Sequence, residues 1–212
     1  MELYNFSEHV GIYRIDPSIC DEVIPVLLDM RDNEPSEGRS NVKGWQKNYL
    51  QFMPEFNDLK SAIMEQFDFY VSKLHEMYYD MESGSTPRWS ISMDNLFANV
   101  NGPGSYHVLH NHAGCNYSGV IYLQTPDSGE PCGNFYLRAP FYSPWMGAMQ
   151  SETHQDYYAS FEAEKGLGLI FPAYMMHSVG PNMTDGDRIA VSYNMTAYFN
   201  QELADFLKES GE

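Results

Sequence analysis

Positive charge is scarce in this sequence of 212 residues. Its 12 lysines and arginines stand against 29 aspartates and glutamates, which gives a formal net charge of −17. Nucleic-acid-binding proteins use basic surfaces to replace the counterions of phosphates, so we expect no nucleic-acid partner here. Charged residues make up 19% of the chain and hydrophobic residues 43%. Because disordered chains combine high charge with low hydrophobicity, this composition predicts a folded protein.

Cysteines and long apolar runs are also scarce. The three cysteines, Cys20, Cys115 and Cys132, form no CxxC motif, which argues against a disulfide framework. No apolar run reaches the roughly 18 residues that cross a membrane. The first ten residues, MELYNFSEHV, have neither the basic nor the apolar segment of a signal peptide. We therefore expect a cytoplasmic protein with reduced thiols and no membrane partner.

The first third of the chain has a helical pattern with one short strand. Residues 10–15, VGIYRI, alternate as a strand does. Asp16 and Pro17 then suit the N-cap and first position of a helix over residues 18–30. We expect Pro25 to break or kink this helix, because proline lacks an N–H and clashes with the preceding turn.

A loop and a long helix follow. Residues 31–44, RDNEPSEGRSNVKG, are polar and rich in turn formers, which predicts a loop. From Asn57 to Tyr79 apolar residues recur every three or four positions, which predicts an amphipathic helix.

From about residue 88 the apolar period changes to two. Six or more short strand-like runs, separated by Gly, Pro, Asn and Asp, predict a mainly β fold, a sandwich or jelly-roll barrel with flanking helices. Residues 141–164 have no clear period, and we expect them to border the entrance of the site. We predict a single domain over residues 1–212, in which residues 1–85 are mostly helical support and residues 88–200 form the jelly-roll core.

Histidines cluster in the segment YHVLHNH. His110 and His112 are two residues apart and so point to the same face of a strand, whereas His107 has the opposite parity and is expected to face away. Two imidazoles on one face can share a metal, and His177, after the run GLIFPAYMM, is the candidate for a third ligand. The alternative is that these are ordinary polar residues on strands.

Arg188 opens the apolar run RIAVSYN. Its side chain shares a face with those of Ala190, Ser192 and Asn194. An arginine buried there needs a carboxylate, and Ser192 could hold the same carboxylate. The alternative is a rim arginine paired with Asp185 or Asp187 in the preceding turn.

Three segments together resemble a known family. HNHAGCNYSGVIYLQTP, GLGLIFPAYMMHSVGP and RIAVSYN follow, in order, a GWQ element at residues 44–46 and the long helix. They are similar to 2-oxoglutarate–Fe(II) oxygenases of the prolyl-hydroxylase-like kind, and more narrowly to a subfamily common in marine bacteria and their phages. The resemblance covers about residues 40–200. It implies a double-stranded β-helix, that is, one jelly-roll oxygenase domain.

The resemblance also implies cofactors and chemistry. The implied Fe(II) ligands are His110, His112 and His177. The implied 2-oxoglutarate ligands are Arg188, Ser192 and Tyr122, which would bind its distal carboxylate. A dioxygenase of this kind consumes O2 and 2-oxoglutarate, releases succinate and CO2, and by default hydroxylates a peptide, amino acid or small-molecule substrate. The sequence leaves the oligomeric state open, with a homodimer as one alternative.

One ligand position departs from the wider superfamily, which has aspartate or glutamate where this chain has His112. A neutral imidazole leaves more positive charge on the metal than a carboxylate does. The narrower subfamily tolerates histidine here. Related halogenases have a small residue at this position to admit halide, so His112 favours hydroxylation over halogenation.

Cupins are a competing resemblance, because they share the double-stranded β-helix. Gly104 and the H-x-H fit the first cupin motif, and Gly166, Pro172 and His177 fit the second. The first-motif glutamate falls on Asn116 or Tyr117, however, and Tyr174 replaces a second-motif glycine. A cupin dioxygenase or isomerase without 2-oxoglutarate is therefore one alternative, and a non-enzymatic jelly-roll binding module is another.

Overall fold

Two antiparallel sheets form the framework of the protein. The computed structural model describes residues 9–79, 89–138 and 158–199. The helices are α1 (Pro17–Asn33) and α2 (Asn57–Tyr79), with two 3₁₀ turns at Leu50–Phe52 and Pro54–Phe56. The strands are β1 (Gly11–Arg14), β2 (Asn41–Val42), β3 (Trp45–Lys47), β4 (Trp89–Asn101), β5 (Tyr106–His110), β6 (Tyr117–Gln124), β7 (Phe135–Arg138), β8 (Tyr158–Phe161), β9 (Leu167–Pro172), β10 (His177–Val179) and β11 (Arg188–Phe199).

From β4 onwards, successive strands belong to opposite sheets, except for β7 and β8, which both lie in the smaller sheet. The six-stranded sheet has the order β1-β9-β6-β11-β4-β3, and the five-stranded sheet has the order β2-β5-β10-β7-β8. Neighbouring strands are antiparallel throughout these described segments. This arrangement confirms the predicted mainly β, double-stranded β-helix fold with flanking helices.

Helix α1 begins where the sequence predicts and ends later. The Asp16 side chain accepts a hydrogen bond from the Ser18 backbone N–H at 2.9 Å, which caps the helix ahead of Pro17. The expected break at Pro25 is absent, because α1 continues through it to Asn33. The buried face of this helix packs into the main hydrophobic core, and that packing offsets the backbone hydrogen bond lost at the proline.

Helix α2 spans the predicted residues. Its side chains at Leu59, Ile63 and Phe67 are fully buried. They and the buried face of α1 pack against the outer face of the six-stranded sheet, where Ile189 and Val191 of β11 belong to the same core. The alternate residues of β11 therefore point inwards, between the two sheets, and the helices leave that inner face free to form a site.

The N-terminal third contributes more strand than the expected single segment. Residues 41–42 lie in the predicted loop, yet they pair with β5. The GWQ element supplies β3, which pairs with the end of β4. These short edge strands lack a detectable alternation because two or three residues cannot show a period.

The residues 141–164 are described only from residue 158 onwards. Tyr158–Phe161 form β8, which pairs with β7 at the edge of the five-stranded sheet. The remainder of this segment lies outside the described residues, so its expected place at the site entrance stays a prediction. Among the described residues, no helix combines the length and apolarity needed to cross a membrane.

Candidate functional site

The inner faces of the two sheets enclose a cavity of about 630 Å³. The large sheet lines it with inward residues of β4, β6 and β11, and the small sheet with residues of β5 and β10. Because alternate residues of a strand face opposite sides, each of these strands sends one row of side chains to the cavity, and in the large sheet the other row faces the helices.

Three histidines meet at one point of this cavity. His110 at the end of β5 pairs directly with His177 at the start of β10. His112 lies two residues beyond β5, and its backbone N–H donates to the Ala173 carbonyl at 2.9 Å. The possible ligand atoms of the three histidines all lie within 4.8 Å of one another, and the Nε2 atoms of His112 and His177 are 3.2 Å apart. The predicted triad is therefore brought together.

Backbone carbonyls fix two of these imidazoles in one tautomer. Nδ1 of His110 lies 2.7 Å from the Val108 oxygen, and Nδ1 of His177 lies 2.9 Å from the Met175 oxygen. A carbonyl only accepts, so each Nδ1 carries the proton and each Nε2 presents a lone pair. Histidines that bind metals are oriented by outer hydrogen bonds of this kind.

Burial keeps the triad neutral. Desolvation lowers the pKa of His177 to about 3 and that of His112 to about 4, and it also lowers the pKa of His110. All three imidazoles are therefore unprotonated at pH 7. A divalent metal does not have to displace protons from them.

His107 does not face away as predicted. It lines the same cavity, and its ring stacks near that of His110 with centroids 6.4 Å apart. The pairing of β5 with β10 explains this, since Val179 pairs with His107 and His177 with His110. From His107 to His110 β5 advances three residues, whereas β10 advances two between their partners. This β-bulge turns His107 to the same side of the sheet as His110.

Arg188 is buried rather than placed at the rim. Only 2% of the residue is exposed, and Asp187 forms its ion pair with Arg31 of α1 instead. Nη1 of Arg188 donates to the carbonyl oxygens of Cys132 at 2.9 Å and Gly133 at 3.1 Å. Among the described residues, no carboxylate forms an ion pair with this guanidinium.

Arg188 and Tyr122 each have one buried polar atom that needs a hydrogen-bond partner. The Arg188 Nε and the Tyr122 hydroxyl have no hydrogen-bond partner among the described residues. Burial lowers the pKa of Arg188 and raises the pKa of Tyr122 to about 12, so one group is a cation and the other a neutral donor at pH 7. Two unpaired donors around a positive charge fit a carboxylate.

Ser192 lies on the same inward row of β11 as Arg188. It lines the cavity and pairs across the sheet with Phe97 on one side and Val120 on the other. The predicted triad, Arg188, Tyr122 and Ser192 thus all border one cavity.

Several further residues of the cavity are absent from the sequence prediction. Asn194 lies next to His112 and tends to raise its pKa, and the Ser40 hydroxyl lies 3.2 Å from Nε2 of His110. A row of carboxamides also faces the cavity from β4, at Asn95, Asn99 and Asn101. The alternation of asparagines in DNLFANVN is the signal that could have shown this row.

A family model matches nearly half of this chain. Residues 95–194, which include the triad, Arg188 and the carboxamide row, match the family described as "Putative 2OG-Fe(II) oxygenase". This part of the chain is therefore similar to the 2OG-Fe(II) oxygenase family. The match favours an oxygenase that uses Fe(II) and 2-oxoglutarate over the alternatives of a cupin and of a non-enzymatic module. No curated protein matches the chain in sequence.

Solved structures share the fold of this protein at low sequence identity. A prolyl-4-hydroxylase from Pseudomonas putida is 12% identical with a TM-score of 0.56, over 91% of this chain and 92% of that chain. A prolyl hydroxylase from Trichoplax adhaerens, solved with a hypoxia-inducible-factor peptide, is 14% identical with a TM-score of 0.58, over 93% and 86%. HygX from Streptomyces hygroscopicus, solved with nickel, 2-oxoglutarate and hygromycin B, is 14% identical with a TM-score of 0.59, over 90% and 83%.

Proposed function

We propose that this oxygenase holds Fe(II) with His110, His112 and His177, binds 2-oxoglutarate through Arg188, and hydroxylates a C–H bond of an organic substrate. The overall reaction converts substrate, 2-oxoglutarate and O2 into hydroxylated substrate, succinate and CO2. Bound together, Fe(II) and 2-oxoglutarate supply the activation of O2 for this oxidation.

The observation that carries this proposal is that Arg188 is buried without a carboxylate partner among the described residues. A cation in a protein interior is costly unless an anion accompanies it. Among the described residues no carboxylate does so, and the free Nε and the Tyr122 hydroxyl leave two hydrogen bonds unmade. The distal carboxylate of 2-oxoglutarate matches both the charge and the planar fork of a guanidinium. Ser192 adds a hydroxyl on the same row.

The three histidines suit Fe(II) for a separate reason. They are neutral at pH 7, two have their tautomers fixed by carbonyls, and their Nε2 atoms converge. Three neutral ligands leave open positions for a chelating cosubstrate and for O2, as catalytic non-haem iron sites require. His112 is a large side chain, which favours hydroxylation over halide transfer.

The substrate that we propose is a peptide, an amino acid or another polar small molecule. Support comes from two proteins of the same fold, one solved with a peptide and the other with hygromycin B. The cytoplasmic location and the homodimer alternative stay predictions.

An anaerobic titration of the Fe(II) protein with 2-oxoglutarate tests the assignment of Arg188. Chelation gives a visible charge-transfer band, whose growth yields a dissociation constant. Losing one partner of a buried charge pair costs on the order of 3–5 kcal/mol. Because about 1.4 kcal/mol corresponds to tenfold in affinity, Arg188→Ala should weaken 2-oxoglutarate binding at least a hundredfold. Fe(II) binding should survive.

Two further variants serve as an intermediate case and as a control in this titration. Arg188→Lys keeps the charge but loses the fork, so its affinity should fall between those of wild type and Arg188→Ala. Arg138→Ala removes an exposed arginine of β7 and should change nothing. A wild-type protein that binds Fe(II) but shows no band contradicts the proposed function. A band that survives Arg188→Ala at unchanged affinity contradicts the role of Arg188.

A further inference from the structure

The cavity wall contains no carboxylate among the described residues, although the chain has 29 acidic residues. Its two permanently charged side chains are both arginines, Arg188 and Arg39. A 2-oxoglutarate molecule on Arg188 occupies only one of them. The second arginine therefore gives the rest of the cavity a positive charge with no assigned ligand.

Arg39 is held close to the histidine triad by its neighbours in sequence. The next residue is Ser40, whose hydroxyl lies 3.2 Å from Nε2 of His110. The loop before β2 is fixed because the Ser36 hydroxyl accepts hydrogen bonds from the backbone N–H groups of Gly38 at 3.3 Å and Gln46 at 3.1 Å. Arg39 is itself exposed, and among the described residues no carboxylate forms an ion pair with it.

The wall next to Arg39 is polar but uncharged. Strands β3 and β4 line it with carboxamides of Gln46, Asn95 and Asn99, together with Asn48 just after β3. A carboxamide offers both donors and an acceptor, so this wall can bind hydroxyl, amide or carbonyl groups of a ligand. The nearest carboxylate that contacts it, Glu37, lies outside the cavity lining, accepts a hydrogen bond from the Asn48 amide at 3.0 Å and is already paired with Lys47 at 3.0 Å, so it does not balance a cationic group in the cavity.

Tyr49 completes this part of the cavity in a strained conformation. Its φ of 65° is in the left-handed region, which bulky residues rarely adopt. The Asn95 side-chain oxygen accepts a hydrogen bond from the Tyr49 backbone N–H at 3.0 Å and holds the turn. Tyr49, which is 61% exposed, lines the cavity together with the carboxamides. Strain kept in this way is common where a side chain must contact a ligand.

We propose that Arg39 and the carboxamides of β3 and β4 form the substrate subsite, and that it takes a polar molecule with an anionic group, a carboxylate or a phosphate. The subsite rests on the proposed function in one respect, which is that 2-oxoglutarate occupies Arg188. Charge-assisted hydrogen bonds from Arg39 bind the anion, and the carboxamides bind the body of the molecule. Cationic substrates are excluded, because nothing described in the wall pairs with them.

Four small probes of matched size test this subsite: propanoate, ethylphosphonate, propanamide and propylammonium. The protein is loaded with Mn(II) and saturating 2-oxoglutarate, and the paramagnetic relaxation of probe protons reports weak binding near the metal. We expect propanoate and ethylphosphonate to bind, propanamide to bind about fivefold more weakly, and propylammonium not to bind. The stronger of the two anions identifies the carboxylate or phosphate source.

Variants decide whether Arg39 is responsible. Arg39→Gln should reduce propanoate affinity about fivefold, to the level of propanamide, and leave the 2-oxoglutarate affinity unchanged. Lys43→Gln removes the same charge from an exposed residue outside the cavity lining and should leave both affinities unchanged. The proposal is wrong if no anion binds, if propanamide or propylammonium binds as well as propanoate, if Arg39→Gln keeps the preference, or if Lys43→Gln abolishes it equally.

The 2-oxoglutarate titration of the Fe(II) protein separates this proposal from the one on which it rests. If 2-oxoglutarate binds but the probes show no anion preference, only the subsite fails. If 2-oxoglutarate itself does not bind, the proposed function fails first.

Discussion

Gly133 faces the guanidinium of Arg188 so closely that a methyl group on its Cα would lie 2.3 Å from Nη1. The same methyl group would lie 2.3 Å from the backbone oxygen of Gly180, which cannot rotate away as a side chain can. Gly133 also has a φ of 99°, in the region that side chains rarely adopt. Its own carbonyl oxygen holds Nη1. This position therefore accommodates only glycine, and it determines where Arg188 lies.

Gly133→Ala should weaken 2-oxoglutarate binding by about tenfold, because the methyl group displaces either Arg188 or the loop that holds it. Gly129→Ala is the matched control. Gly129 has a φ of 73° in the same loop, but a methyl group there meets no atom within 4 Å. Titration of both Fe(II) proteins with 2-oxoglutarate measures the difference. If both variants bind 2-oxoglutarate equally weakly, backbone strain and not the contact with Arg188 causes the loss of affinity. If both bind it like the wild type, the prediction is wrong.

Single alanine variants of His110, His112 and His177 should each lose divalent metal binding. Removing a ligand should cost more than the 10- to 100-fold that loss of an outer partner costs. His107→Ala is the control, because His107 lines the same cavity but directs Nε2 to the Asn101 side chain at 3.3 Å. Elemental analysis after dialysis against Fe(II) checks this. Full metal occupancy in any of the three triad variants would remove that residue from the ligand set.

Asn194→Ala should weaken Fe(II) binding by about tenfold while leaving all three imidazoles in place. Asn194 lies next to His112, whose pKa it tends to raise, and accepts a hydrogen bond from the Ser118 hydroxyl at 3.2 Å. It can therefore orient this imidazole, for which no backbone carbonyl serves as a partner among the described residues. Asn111→Ala removes another asparagine of the cavity, whose amide donates to the Tyr174 carbonyl at 3.5 Å. Competition with a coloured chelator measures both affinities. If both variants bind Fe(II) like the wild type, Asn194 has no positioning role.

The metal-free protein should lose stability as the pH falls from 7 to 5. The unfolded chain protonates His177 near its usual pKa of about 6.5, whereas burial lowers the folded pKa to about 3. The unfolded state therefore binds more protons in this window, and the free energy of unfolding decreases as the pH drops. At about 1.4 kcal/mol per pH unit, His177 should account for about 2 kcal/mol.

Urea denaturation at pH 7 and pH 5 checks this value in wild type and in His177→Phe. The phenylalanine variant cannot titrate at this position, so its loss of stability should be smaller by about 2 kcal/mol. The difference between the two proteins cancels the titration of groups that do not interact with His177; His107, His110 and His112 do interact with it. An equal loss in both would mean that His177 titrates normally in the folded state.

The predicted elements agree best with the structure where one sequence pattern extends over many residues. Helix α2 runs from Asn57 to Tyr79 as predicted, because six turns repeat the same apolar face. The inward row of β11 also agrees, since twelve strand residues fix its parity through pairs with two neighbours. Strands β2 and β3 were not predicted, because their two and three residues depend on partners distant in sequence.

The candidate site shows the same limit. The sequence predicts that His110, His112 and His177 come together, and they do. It does not predict that His107 joins them, because the bulge in β5 arises from its pairing with β10 and leaves no local pattern. Nor does it predict Arg39 in the cavity wall, since that loop is positioned by hydrogen bonds to β3. Alternation assigns the face of a regular strand, whereas bulges and loops are set by tertiary contacts.

The burial of Arg188 without an ion pair among the described residues has a consequence for the lifetime of the protein in the cell. Asp187 forms an ion pair with Arg31 of α1, and no carboxylate among the described residues compensates the buried Arg188. A folded state with such a charge is less stable until an anion arrives, and any anion that binds only this state shifts the folding equilibrium towards it. Starvation for the anion would then expose more of the population to proteolysis. The abundance of the enzyme would thus follow the supply of the small molecule that it consumes.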